Sequence, residues 1–185
     1  FPLNRLKLLY LTYYYPHKNI EVFLPLARKI KEFQLPYCII VTIEADQHPK
    51  AKQFLDSVAT YALSDVIINI GPVLMSHVPS LYAQTDALLM PTLLESFSGT
   101  YVEAMFHGKP ILTSHYDFAI DVCGESAFYF DPLNCESMLT AIQLMERDEN
   151  SRKQHIEEGK NQLKKLLTWP QTYEKYNELM GIGTL

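Results

Sequence analysis

Glu95-Ser96-Phe97-Ser98-Gly99-Thr100-Tyr101-Val102-Glu103 separates a short apolar run, Ala87 to Met90, from a helix-like stretch that ends before Gly108. Pro91 stops the apolar run, as expected at the end of a buried strand. The periodic stretch then predicts a helix from about Gly99 to Phe106. A strand, a small polar turn and a helix in that order form one unit of an α/β fold. Glu95 falls at the strand end of this unit and Glu103 one turn into its helix.

The same alternation extends in both directions. Toward the N-terminus it predicts strands at Leu6 to Leu11, Tyr37 to Ile43 and Val66 to Ile70. Helices are expected at Ile20 to Phe33, Lys50 to Tyr61 and Ser76 to Ala83, with Pro25 an awkward occupant of the first. Toward the C-terminus come a strand at Pro110 to Thr113, a short helix near Phe118 to Val122 and a strand at Ala127 to Phe130. Asp131-Pro132-Leu133-Asn134 reads as a turn and helix cap. The chain beyond Glu136 reads as helical, broken by Trp169-Pro170. No internal repeat or low-complexity segment interrupts the pattern. Strand–helix alternation with short connections predicts a Rossmann-like parallel sheet with helices on both faces.

One domain, residues 1–185 with a C-terminal helical segment from about 136, suits 185 residues of which 48% are hydrophobic. A net charge of -5 argues against a general nucleic-acid-binding surface. No apolar run approaches the roughly 20 residues that span a bilayer, and Phe1-Pro2-Leu3-Asn4-Arg5-Leu6-Lys7 does not resemble a signal peptide. The absence of an initial Met suggests a piece of a longer polypeptide. Cys38, Cys123 and Cys135 form no C-x-x-C pair and read as free thiols of a reducing, cytoplasmic compartment. His17, His48, His77, His107, His115 and His155 lack metal-ligand spacing, so no metal is expected.

Ligands of such sheets bind beyond the carboxyl ends of the strands. Three polar loops are expected there: Thr12 to Asn19, Gly71 to His77 and Pro91 to Thr100. Ser98 and Gly99 fall where a helix starts, so unpaired N–H groups would face an anion, and Gly99 allows a close backbone approach. Glu103 lies about 6 Å along the helix axis at about 1.5 Å per residue, and its side chain leans back toward the helix start. A carboxylate there accepts hydrogen bonds from a vicinal diol such as a ribose. The matching ligand is a nucleoside-diphosphate sugar, with Glu95 nearer the sugar. Taken alone, the pair is equally a capping carboxylate and a solvated helix glutamate.

Lys18 follows the first strand and precedes a helix that Asn19 is expected to cap, a place where a cation suits a phosphate. Alone it is an ordinary surface lysine. Gly71-Pro72-Val73 is a turn that would approach a flat base. His17 and His115 are candidate acid–base groups with surface histidines as the simpler reading. Of Tyr13, Tyr14 and Tyr15, two are expected to pack on neighbouring elements and one to be exposed, with a stacking platform for a base or sugar as the alternative. Lys160, Lys164 and Lys165 read as a solvated helix face, with anionic lipid headgroups as the alternative.

Taken together, these blocks resemble the C-terminal, nucleotide-sugar-binding domain of the GT-B glycosyltransferases, in the retaining "glycosyl transferases group 1" class (family four). The resemblance covers nearly the whole chain. It runs from the first strand through Pro16-His17-Lys18, Gly71, and Leu81-Tyr82-Ala83-Gln84-Thr85-Asp86-Ala87-Leu88-Leu89-Met90-Pro91. It continues through Glu95 to Glu103, Glu103-Ala104-Met105-Phe106-His107-Gly108-Lys109-Pro110, and Ala127-Phe128-Tyr129-Phe130-Asp131-Pro132. The order and spacing of so many blocks is specific.

The resemblance implies transfer of a sugar from a nucleoside-diphosphate donor with retained anomeric configuration and no bound metal or other cofactor. It implies Glu103 at the ribose hydroxyls, Glu95 at the donor sugar and reacting face, and Lys18 at the phosphates. The Phe97, Ser98, Gly99 and Thr100 backbone would cradle the donor. It also implies an N-terminal acceptor domain ahead of Phe1, a C-terminal segment reaching back across the cleft from about Gln171, and peripheral contact of the longer protein with a membrane. Surface-polysaccharide or lipopolysaccharide assembly is the setting that analogy suggests.

The sequence departs from the pattern in three places. Thr12 and Tyr13 stand where the family commonly has Gly-Arg, Glu95-Ser96-Phe97-Ser98 replaces Glu-Gly-Phe-Gly, and Asp121 stands for a usual Glu. The first of these motivates an alternative, a non-catalytic nucleotide-binding or scaffolding module. A flavodoxin- or receiver-like domain is disfavoured, because a receiver needs clustered acids after its first strand and this chain has tyrosines.

Overall fold

The structure, a computed structural model, describes residues 4–181; the extreme ends of the expected 1–185 domain, including Phe1-Pro2-Leu3, lie outside them. Strands β1 (Leu6–Tyr10), β2 (Tyr37–Val41), β3 (Ile67–Asn69), β4 (Ala87–Met90), β5 (Ile111–Ser114) and β6 (Ala127–Phe130) form one sheet. Their spatial order is β3-β2-β1-β4-β5-β6, and every pairing is parallel. The expected α/β, Rossmann-like architecture is therefore the observed one. Winding proceeds outward from β1 to β3, then restarts at β4 on the other side of β1. The β1/β4 seam is thus the topological switch point, where adjacent strands feed their loops in opposite directions and leave a crevice.

Burial explains why the strands read as apolar runs rather than alternations. β2, β4 and β5 are buried at every residue, as strands covered on both faces must be. The helices are α1 (Phe23–Glu32), α2 (Pro49–Thr60), α3 (Val78–Gln84), α4 (Gly99–Phe106), α5 (Asp117–Cys123), α6 (Cys135–Arg147), α7 (Glu149–Lys165) and α8 (Trp169–Met180). On one side α1 packs against α6, while α4 and α5 pack against α7. Gly159 on α7 sits so close to α4 that an added Cβ would lie 3.2 Å from Met105 Cγ.

Three local expectations change. The first helix is split: a 3-10 turn covers Ile20–Val22 and the α-helix begins at Phe23. Pro25 then occupies its first turn, where a missing N–H breaks no helical bond. Asn19 does not cap with its side chain. Its backbone is left-handed, φ 55°, and its amide donates to Pro91 O (3.0 Å) and Pro132 O (2.8 Å). Trp169-Pro170 does not break the terminal helix but opens α8, with Pro in the first turn and a Thr168/Gln171 capping box. The preceding break falls at Leu166 to Thr168, and another at Asp148 divides α6 from α7. The predicted cap at Asn134 forms, accepting from Glu136 N and Ser137 N.

Candidate functional site

The loops after β1 and β4 meet at the switch point and are stitched together. Leu93 N donates to His17 O at 2.7 Å, and Thr92 Oγ1 donates to the same carbonyl at 3.2 Å. Ser114 Oγ, at the end of β5, holds Thr92 O at 2.6 Å. Beneath them Tyr10, fully buried at the end of β1, donates to Lys18 O at 2.8 Å. This scaffold brings Lys18 and Glu95 together, with Nζ 2.5 Å from Oε1. Both side chains are largely enclosed, 16% and 12% exposed. Burial, followed by the Glu95 charge, raises the Tyr10 hydroxyl well above the ordinary phenol range, so it stays a neutral donor.

α4 starts where the sequence places it. Ser98, the N-cap, is extended (φ -100°, ψ 114°) and its side chain forms no cap bond, which leaves first-turn N–H groups for another acceptor. Gly99 has no left-handed backbone, and a Cβ added there would meet nothing within 4 Å. Neither strain nor packing within the chain therefore demands glycine at this helix start. Phe97 is exposed, Ser98 buried and Thr100 partly buried.

Glu103, half-buried, makes a different contact from Glu95. Its Oε2 accepts from Tyr82 Oη at 3.3 Å, and among the described residues it has no cationic partner. Lys18 and Glu95 are thus one unit and Glu103 with Tyr82 another, linked because Glu95 and Glu103 lie on the same β4–α4 segment.

Gly71 lies apart from both. It follows β3 at the sheet edge, takes a left-handed φ of 71° and donates its N–H to Asn69 Oδ1 at 3.3 Å. A turn conformation accounts for glycine there. The segment beyond it borders an open cavity of about 410 Å³ lined by Ile70, Pro72, Val73, Leu74, His77 and Leu81. A larger cavity, about 590 Å³, opens at the opposite end of the sheet around Arg5, Lys31 and Asp65. It lies away from the crevice, and its charges already pair with one another.

The tyrosine expectation is reversed. Tyr13 and Tyr15 are exposed, and only Tyr14 is buried, donating to Glu21 through its hydroxyl. His17 stacks on Tyr15 with ring centroids 5.5 Å apart, and His115 tilts against Tyr129. Of the basic set on α7, Lys160 pairs with Glu157 and Lys164 bonds Asn161, the local partners of a solvated face. Among the described residues no helix is long and apolar enough to cross a membrane, and no three His, Cys, Asp or Glu side chains group as metal ligands.

The sequence reading missed Tyr10, Asn19 as a loop tie, Thr92, Ser114 and Tyr82. Tyr82 had one visible signal: with Val78 and Leu81 it lies on the buried face of α3, although spacing alone does not name its partner. Chemically, the arrangement offers an ammonium and a helix N-terminus to an anion, and two carboxylates to hydroxyl donors.

Residues 1–162 match the family model described as "Glycosyl transferases group 1", and the chain belongs to that family. No curated protein sequence matches it. Among solved structures it is similar to sucrose-phosphate synthase from Thermosynechococcus elongatus, with a TM-score of 0.79 at 18% identity over 99% of this chain and 47% of that one. A glycosyltransferase from Rickettsia africae aligns at 0.78 and 16% identity, covering 97% and 49% of the two chains. The Anabaena protein HepE, solved with UDP and glucose, aligns at 0.80 and 16% identity, covering 96% and 48%. At these identities the likeness establishes the fold, that of the GT-B glycosyltransferases. The chain spans about half the length of each.

Proposed function

We propose that this chain is the donor-binding half of a retaining glycosyltransferase that moves a sugar from a nucleoside diphosphate to a glycan or lipid-linked acceptor. The observation that carries the reading is the Lys18–Glu95 unit at the switch point, on the loop that leads into the open start of α4. Lys18 offsets the pyrophosphate charge, the Phe97 to Thr100 backbone cradles the phosphates and sugar, and the open space over Gly99 admits them. Glu95 contacts the donor sugar, and Glu103 accepts from the ribose hydroxyls. The Gly71 turn faces the base. As the glycosidic bond to phosphate breaks, negative charge grows on the leaving diphosphate. An ammonium held in place beforehand stabilises that change by several kcal/mol in a site closed to water.

In this reading an acceptor domain of the same polypeptide closes the crevice. α8 is the element it would cover, because Trp169, Tyr173, Tyr176, Leu179 and Met180 stand exposed on it. No metal takes part. The setting is cytoplasmic, with peripheral contact at the inner membrane face and surface-polysaccharide or lipopolysaccharide assembly as the process.

Calorimetric titration of the full-length protein with UDP-, GDP- and ADP-sugars tests the proposal. One donor should bind, Glu103→Ala should weaken it about tenfold or more (about 1.4 kcal/mol), and Glu95→Ala should mainly slow transfer. Wild-type affinity and turnover in both variants would overturn the site assignment. A second reading, the non-catalytic nucleotide-binding or scaffolding module, is favoured by exposed, uncharged Tyr13 at the family's arginine position. Binding of none of these donors would favour the scaffold.

A further inference from the structure

Tyr82 belongs to no strand-end loop, yet it contacts the carboxylate that the reading above assigns to ribose. It sits on α3, only 1% exposed, and its hydroxyl faces two acceptors on α4: Thr100 O at 3.2 Å and Glu103 Oε2 at 3.3 Å. A phenol has one proton, and an ionised carboxylate is the stronger acceptor. The ring has little freedom to turn away. His107 stacks on it with centroids 4.9 Å apart and planes 15° from parallel. His107 is itself fixed at the end of the same helix, its N–H donating to Glu103 O at 2.9 Å.

The two glutamates therefore differ in what neutralises them. Lys18 supplies Glu95 with a full positive charge, whereas Glu103 receives one neutral hydrogen bond. A phenol fixes the direction of a carboxylate without cancelling its charge, so the group keeps its capacity to accept from neutral hydroxyls. Burial, then the nearby Glu103 charge, raises the Tyr82 hydroxyl far above its ordinary range, so it remains a donor at any physiological pH.

We propose that Tyr82 is a positioning residue for Glu103: its hydroxyl holds the carboxylate in the rotamer that receives a ribose diol, giving the site its preference for ribonucleotides. This rests on the donor-binding reading. The test is a double-mutant cycle in the full-length protein with wild type, Tyr82→Phe, Glu103→Ala and the double variant. Each is titrated with UDP, GDP and ADP and with their 2′,3′-dideoxy forms.

Tyr82→Phe should weaken the ribose form about 3- to 10-fold, the loss expected for one hydrogen bond to a charged group. It should leave the dideoxy form unchanged and have no further effect once Glu103 is Ala. Unchanged dideoxy binding also serves as the control for intact folding. Equal loss of both forms, or an unaltered ribose preference, would overturn the proposal while leaving the donor-binding reading in place. If wild type bound none of the diphosphates, that reading would fall and this proposal with it.

Discussion

The seam between β1 and β4 carries a lysine–carboxylate pair at each end, and the two pairs are built differently. At the amino end, Asp86 Oδ2 accepts from Lys7 Nζ at 3.0 Å and from Lys7 N at 2.7 Å, while Asp86 N returns a bond to Lys7 O at 2.9 Å. One residue on each segment, Lys7 in β1 and Asp86 just before β4, closes the whole ring. At the carboxyl end, Lys18 and Glu95 come from loops, and only their side chains meet. Yet Asp86 is 40% exposed and Glu95 only 12%. The more enclosed pair thus has the less backbone support. Enclosing an ion pair gives little net stability, because desolvation offsets the attraction. The amino-end pair ties β1 to the residue just before β4, while the carboxyl-end pair sets a cation against a carboxylate beyond the strand ends.

That contrast can be broken experimentally. The largest effect should come from Glu95→Ala, which should lower sugar transfer by the full-length protein on the order of 100- to 1000-fold, as for loss of a group acting on transition-state charge. Asp86→Asn should leave transfer near wild type. Next, Lys18→Met should weaken nucleoside-diphosphate binding about 10- to 100-fold by calorimetry, the range of one strong charge-assisted contact. The swap Lys18→Glu with Glu95→Lys should recover stability without recovering binding. Recovery of both would make the carboxyl-end pair as structural as the other.

Smaller changes sharpen the comparison. Asp86→Asn should reduce the free energy of unfolding by about 1–2 kcal/mol, since it weakens bonds to a backbone N–H and an ammonium, with nucleotide affinity unchanged. Tyr10→Phe removes the donor to Lys18 O and should cost about 1 kcal/mol of stability, together with a modest loss of diphosphate affinity that Asp86→Asn lacks.

The least effect concerns Lys109, which donates to Thr85 O at 2.7 Å beside the amino-end pair. Burial holds its ammonium below the ordinary lysine range. Between its folded and unfolded values the unfolded chain binds more protons, so this group makes stability rise with pH in that alkaline window. Urea titrations across an alkaline series should show the rise diminished in Lys109→Met.

Much of this was legible in the chain. The start of α4 at Gly99 follows from a strand stop at Pro91 and a small polar turn, all local features. The Asn134 cap was equally local. Asn19 departs from the capping role its position predicts because its side chain is claimed by Pro91 and Pro132, partners that no window of sequence contains. The tyrosines misled for a related reason. Three consecutive aromatics point different ways, and Tyr14 turns inward where its hydroxyl meets Glu21, its ring stacks on His48 and its N–H meets Gln47. Pro170 looked like a stop because proline does end helices, but it also begins them, and the Thr168/Gln171 box makes the second outcome the real one.

By itself the sequence determined the alternation of elements, the parallel sheet and the Glu95 to Glu103 turn, because backbone propensity and apolar periodicity act over a few residues at a time. Only the tertiary structure decided that Lys18 meets Glu95, a contact spanning 77 positions, and that Tyr82 reaches Glu103. The first depends on the order in which strands lie in the sheet, the second on how the helices on either side of β4 pack. That order is settled by burying the whole core at once, and no local stretch of chain encodes it.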